Sequence, residues 1–188
     1  MRRLRFLLPA IATACVLAIA PAAANASASA TTAGARACPG ANLAPSLAHA
    51  AQARRATLCL LNRQRVRHGL RHLRLHRSLS NAATRYARLM VTKHFFNHVS
   101  PAGSTLAQRV KRTNYLRHTR GWALGENLAW GSGTLATPTR IVNAWMHSPG
   151  HRRNILDGSF REIGIGIALG APSGGSGATY VNEFGARA

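Results

Sequence analysis

Acidic side chains are almost missing from this sequence. Glu126, Asp157, Glu162 and Glu183 are all that offset 25 lysines and arginines over 188 residues, a net charge of +21. Four carboxylates do not build an oxygen-rich calcium cage, and a glycosidase working with a carboxylate pair would spend half of them. Lysine is scarce as well, present only at Lys93 and Lys111, so nearly all the positive charge is guanidinium. Aromatic residues make up 6% of the chain, but the hydrophobic fraction is 46%, so low hydrophobicity does not force disorder. The length suits one compact domain with a tail and argues against a two-domain enzyme carrying its own cofactor domain.

What is present begins with a leader pattern. Arg2, Arg3 and Arg5 precede an apolar run from Phe6 to Ala20, then Pro21 and small residues ending Ala24-Asn25-Ala26. This predicts a secretion signal over 1–26, cleaved after Ala26; the run is short for a membrane span and lacks a stop-transfer flank, so no transmembrane anchor is expected in the mature protein. Its removal would lower the charge from +21 to +18 by taking away Arg2, Arg3 and Arg5. Residues 27–37, rich in Ala, Ser and Thr and without periodicity, read as a flexible lead-in. The domain is expected over 38–188.

Cys15 lies within the apolar run, which leaves Cys38 and Cys59. In an exported chain these two most simply pair; two buried free thiols are the alternative, and no CxxC spacing supports a metal site made from them. Apolar residues recur at helical spacing from Pro45 to His68, stopped by Gly69. A second helix, capped by Ser78 or Ser80, places Leu79, Ala83, Tyr86, Ala87 and Met90 on one side. A shorter one follows Ser104, and Thr137-Pro138 opens another that Pro149-Gly150 breaks. The period then changes: Ile163, Ile165, Ile167 and Leu169 alternate with small or polar residues, and a glycine-rich loop leads to a strand over 179–184. Helices first and an antiparallel hairpin last predict an α+β fold.

Between Arg63 and Arg77 six arginines alternate with His68, His72 and His76. Such a strip attracts polyanions, but it lacks the interleaved aromatics of a single-strand nucleic-acid binder, so a solvated basic face without dedicated nucleic-acid binding is expected. Three segments are more specific: Phe96 to Pro101 around His98, Gly125 to Trp130 around Glu126, and Trp145 to Leu156 around His151. Each sets a titratable side chain beside turn-forming residues and aromatic bulk. Two histidines and a glutamate suit a divalent metal such as Zn2+ with an open position, although no HExxH is present, and a histidine read alone is more often a hydrogen-bonded structural residue than a ligand.

Together these segments resemble the CAP superfamily, also called the SCP domain, of cysteine-rich secretory, antigen 5 and pathogenesis-related proteins and many short bacterial exported proteins. Cys59 to Arg65 with Gly69-Leu70 is similar to the first-helix motif of its bacterial branch, and Gly164 to Ala168 with Phe184-Gly185 to its closing hairpin. The resemblance runs from about Cys38 to the end. It implies a three-layer α-β-α sandwich with a C-terminal antiparallel hairpin, and a cleft lined by two histidines and two acids. His98, Glu126 and His151 match three of those positions, with Asn127 and Ser148 beside them. Ser148 stands where many eukaryotic members carry the second acid, which implies weaker metal binding; Glu183 is given no role by motif.

The expected function is a secreted, cell-wall-associated, non-catalytic protein whose cleft binds a lipid, peptide or wall component and a divalent metal, with anionic envelope components or lipid as partners. The competing reading is a protease-like hydrolase using Ser100 or Ser148 with His98 or His151 and Glu126. It lacks a GxSxG elbow, and both Ser-Pro pairs read more simply as turns.

Overall fold

The computed structural model describes residues 37–188. The leader over 1–26 and all but the last residue of the 27–37 lead-in lie outside the described residues. The elements run α1 (Ala50–Arg67), β1 (Arg74–Leu75), α2 (Arg77–Thr92), α3 (Leu106–Lys111), β2 (Trp122–Gly131), α4 (Pro138–His147), α5 (Pro149–Leu156), β3 (Glu162–Leu169) and β4 (Ala178–Arg187). The strands form one mixed sheet in the order β1-β3-β4-β2, with β1 parallel to β3 and the rest antiparallel. The α+β class and the closing hairpin are as expected. β2 is a full strand where the sequence offered only a motif, because its Gly125 and Glu126 interrupt the apolar alternation by which strands are recognised.

The sheet is covered on both faces. Alternation along β3 and β4 sends Ile163, Ile165, Tyr180 and Phe184 to one side, where they join Leu61 of α1, Trp145 of α4 and Ile155 of α5 in the larger core. Val181 and Ala168 go to the other side and meet Ala83, Tyr86, Ala87 and Met90 of α2, together with Leu128 of β2. This is the α-β-α sandwich. The glycines of β3 set its spacing: a Cβ on Gly164 or Gly166 would fall onto the backbone carbonyls of Leu79 or Ala83, so α2 lies against bare strand.

Local chemistry explains the helix boundaries. Thr105 and Gln108 form a reciprocal capping box on α3, and Thr137 caps α4 with Pro138 in its first turn. The cap of α2 is His76, whose Nδ1 accepts from the Ser78 amide, rather than Ser78 or Ser80. The Ser148-Pro149 turn ends α4 but at once opens α5, since proline is as acceptable at a helix start as it is disruptive inside one. Cys38 and Cys59 are bridged, their Cα atoms 5.7 Å apart, tying the start of the domain to α1. Trp145 Nε1 donates to the Leu128 carbonyl at 2.9 Å and pins α4 to β2.

Candidate functional site

The site is organised by three consecutive residues of β2. Gly125 has Phe160 and Asn154 so close that a Cβ would lie 3.0 Å from the phenyl ring. Glu126 and Asn127 then point to opposite faces of the sheet, as neighbours on a strand must. On the α2 side, the Glu126 side chain is 3% exposed; its Oε1 accepts from His98 Nδ1 at 2.8 Å and its Oε2 accepts from the Arg109 guanidinium. On the other side, Asn127 Nδ2 donates to the His151 carbonyl at 3.0 Å. Asn154 Nδ2 donates to Asn127 Oδ1 at 2.9 Å and to the Glu126 carbonyl at 3.1 Å. One tripeptide thus holds the loop that carries His98 and the helix that carries His151.

His98 lies on the segment after α2 with 57% of its side chain exposed, its Nδ1 bonded to the buried carboxylate. A carboxylate oxygen accepts here, so the proton of this hydrogen bond lies on Nδ1. Phe96 and Val99 beside it are each 45% exposed. The His151 pKa is lowered, first by burial and then by the charge of His98, which keeps its imidazole neutral below the usual histidine range. Among the described residues no group of three or more His, Cys, Asp and Glu side chains is placed to hold a metal ion. Both Glu126 oxygens are engaged, which leaves the two imidazoles as donors.

Arg109 and Glu183 were not singled out by sequence reasoning, and both are central. The Arg109 guanidinium is buried and stacks 3.4 Å from the centroid of the Tyr86 ring. Its Nη1 donates to the carbonyls of His98 at 3.0 Å and Ser104 at 2.9 Å, so this one side chain fixes the whole 98–104 loop against Glu126. Tyr86 adds a 2.6 Å bond to the Asn97 carbonyl. Glu183 sits directly across from Glu126 in the β2–β4 register and is fully buried, 4.0 Å from Arg109 Nε and without a hydrogen-bond partner among the described residues. Burial first, and the charge of Glu126 second, push its carboxyl up to about 8 against the pull of Arg109 and Arg85. The available signal was an acid in phase with the inward Val181 of β4, a costly placement unless it is neutral or paired.

Neither serine proposed as a nucleophile bonds an imidazole. Ser100 Oγ accepts from the Ser104 amide at 3.0 Å, closing its own turn, and Ser148 is the N-cap residue of α5, with no side-chain cap bond.

The basic strip is not a uniform solvated face. Arg65 is fully buried, its guanidinium donating to the carbonyls of Arg71, Ile155, Asp157 and Phe160 at 2.8 to 3.1 Å. His76 is spent on the α2 cap and packs edge-on against Tyr115, and burial lowers its pKa, so it gains charge at a lower pH than an exposed histidine would. Arg67, His68, Arg71, His72, Arg74 and Arg77 are exposed. Among the described residues no helix is long and apolar enough to cross a membrane.

Comparison with known proteins agrees with this architecture. Two Bacillus subtilis proteins match: the uncharacterized protein YkwD, 34% identical over 125 residues, and the uncharacterized membrane protein YlbC, 28% identical over 110. The matched stretches are 66% and 58% of this chain but only 44% and 30% of those proteins, so the chain spans less than half the length of either. Among solved structures, an outer surface protein of Borrelia burgdorferi is 25% identical with a TM-score of 0.57, covering 68% of this chain and 87% of that one. An extracellular SCP-domain protein of Bacillus anthracis is 26% identical with a TM-score of 0.56, covering 68% of this chain and 38% of that one. The model of the cysteine-rich secretory protein family, CAP, matches residues 58–182, which include His98, Glu126 and His151. The chain belongs to the CAP, or cysteine-rich secretory protein, family.

Proposed function

We propose that this is an exported, cell-wall-associated binding protein without catalytic activity, whose cleft at His98, Glu126 and His151 takes a lipid, peptide or wall component. The observation that carries the reading is the state of Glu126. One of its oxygens is committed to His98 and the other to Arg109, so the carboxylate orients an imidazole and is not available as a general base. The imidazole is held through Nδ1 and is more than half exposed, and Phe96 and Val99 on the same segment are exposed apolar residues, an arrangement suited to an amphipathic ligand. The export reading is supported by the leader pattern and by the outer-surface and extracellular relatives. Anionic envelope components or lipid are the expected partners of the positive surface.

A divalent ion such as Zn2+ held by His98 and His151 is part of this proposal, with Glu126 fixing the His98 tautomer as carboxylates do behind metal-ligating imidazoles. The ion would supply an acceptor site for an anionic or carbonyl group of the ligand. The hydrolase reading needs a hydroxyl bonded to an imidazole, and the hydrogen bonds of Ser100 go elsewhere.

Zinc titration of the mature protein by calorimetry tests the reading, alongside labelling with a serine-directed fluorophosphonate. His98→Ala and His151→Ala should each abolish zinc binding, Glu126→Gln should weaken it by about 10- to 100-fold, and no serine should be labelled. Zinc binding unchanged in both histidine variants removes the metal from the proposal. Labelling at Ser100 or Ser148 overturns the non-catalytic reading.

A further inference from the structure

A second concavity, rich in guanidinium groups, lies at the β1 edge of the sheet. A basin of about 890 Å3 is lined by Arg71, His72 and Arg74 on one wall and by Ser159 and Arg161 on the other, with Glu162 and Arg187 at its end. Strand pairing brings the walls together, since β1 lies parallel to β3 and the Arg74 amide donates to the Arg161 carbonyl at 3.0 Å. None of its lining residues belongs to the histidine cleft.

Of the four arginines of this basin, only Arg187 has an anionic partner among the described residues. Glu162 accepts from Arg187 Nη2 at 2.8 Å and Nε at 3.0 Å, and from Tyr115 Oη at 2.8 Å, so its charge is already matched. Asp157, the other acid nearby, accepts from the Ser159 amide and hydroxyl at 2.7 and 2.6 Å. Glu126 and Glu183 are buried behind α2. Among the described residues Arg71, Arg74 and Arg161 make no salt bridge, and Arg161 reaches only carbonyls of its own turn.

Beneath the basin the buried Arg65 joins the two walls, gripping the Arg71 carbonyl on one and the Asp157 and Phe160 carbonyls on the other. The spacing of the surface arginines is therefore set by a side chain that itself adds positive charge. Burial first, and the charge of Arg161 second, lower the Arg65 pKa against the pull of Asp157.

We infer that this basin binds an anionic polymer through its closely spaced oxyanions, phosphodiester or carboxylate. Guanidinium forks match both groups bidentately, and every basic residue of the lining except His72 is an arginine. The basin is concave and has no aromatic lining, so it admits a chain in a groove, whereas a bilayer is flat and a nucleobase would need a ring to stack on. The inference deepens the reading of the chain as an envelope-binding protein but does not depend on the histidine cleft.

The test compares two triple variants of equal charge. Arg71→Gln/Arg74→Gln/Arg161→Gln empties the basin, and its side chains leave the carbonyls gripped by Arg65 untouched. Arg55→Gln/Arg88→Gln/Arg117→Gln removes three exposed arginines elsewhere. Binding of a soluble poly(glycerol phosphate) oligomer and of poly-glutamate is measured across salt concentrations, with circular dichroism to establish folding. A single Arg74→Gln variant serves if the first triple variant does not fold. The basin variant should lose about tenfold or more in affinity relative to the control triple, with its salt slope reduced by about 2, taking the nucleic-acid scale of 0.7 to 0.9 per oxyanion contact. The single variant should fall by a smaller factor in the same direction. Whichever polymer binds names the oxyanion. Equal losses in the two triple variants reduce the effect to net charge and overturn the inference, as does binding confined to anionic phospholipid vesicles. His98→Ala/His151→Ala should leave polymer binding unchanged, so failure at the basin and failure at the cleft are separable.

Discussion

Glu183 makes the pH dependence of stability a direct test of the buried charge network. In the unfolded chain its carboxyl titrates near the ordinary 4.5, and in the folded protein burial raises it to about 8. Between those values the native state holds a proton that the unfolded state has lost, so stability falls as pH rises through the window and levels off above it. At about 1.4 kcal/mol per pH unit, Glu183 withdraws on the order of 3 kcal/mol between pH 5 and pH 8. His76 and His151, with pKa values lowered from the ordinary 6.5, act in the opposite sense below that value, so the wild-type curve alone does not isolate the effect. Glu183→Gln isolates it, because glutamine has nearly the same shape and stays neutral. Urea unfolding of both proteins at pH 5, 6, 7 and 8 should show the variant gaining on the wild type by about 3 kcal/mol across the series. Parallel curves would refute the reasoning and mean that Glu183 is ionised and paired with Arg109 throughout.

Arg109→Gln should cost about 3 to 5 kcal/mol, because it strips the buried Glu126 of its cation and releases the 98–104 loop; the same unfolding assay reads it, and a loss below about 1 kcal/mol would mean that Arg109 is not the pin. Reducing the Cys38–Cys59 bridge, which closes 21 residues of chain, should lower stability by about 3 kcal/mol, measured by denaturant melts with and without reductant; identical midpoints would contradict the contribution. Gly166→Ala should prevent native folding or displace α2, visible as lost near-ultraviolet dichroism, since its Cβ has no room beside the Ala83 carbonyl. A native spectrum would show that the helix yields more easily than its packing implies.

Local patterns were enough to read the two long helices and the closing hairpin, because each is governed by spacing along the chain, whereas the cysteine pair followed from two thiols remaining in an exported chain. Leu79, Ala83, Tyr86 and Met90 recur every three or four residues and all lie in the cores beside α2. The caps were less legible: His76 took a place expected of serine, since any acceptor two residues ahead of a free amide will serve. His98, Glu126 and His151 were recognised from residue types and motif order. Tertiary structure decided what Glu126 does. Its two oxygens are filled by residues 28 and 17 positions away, and the distance between such partners is not encoded by any local period. The same holds for charge. Composition alone determined that this chain is strongly cationic, but only the fold decided that Arg65 and Arg109 are buried among carbonyls and carboxylates while Arg71, Arg74 and Arg161 stand open at a basin. An arginine in sequence carries the same charge wherever it is; whether that charge is spent inside the protein or offered to a partner depends on which acceptors the folded backbone brings within reach.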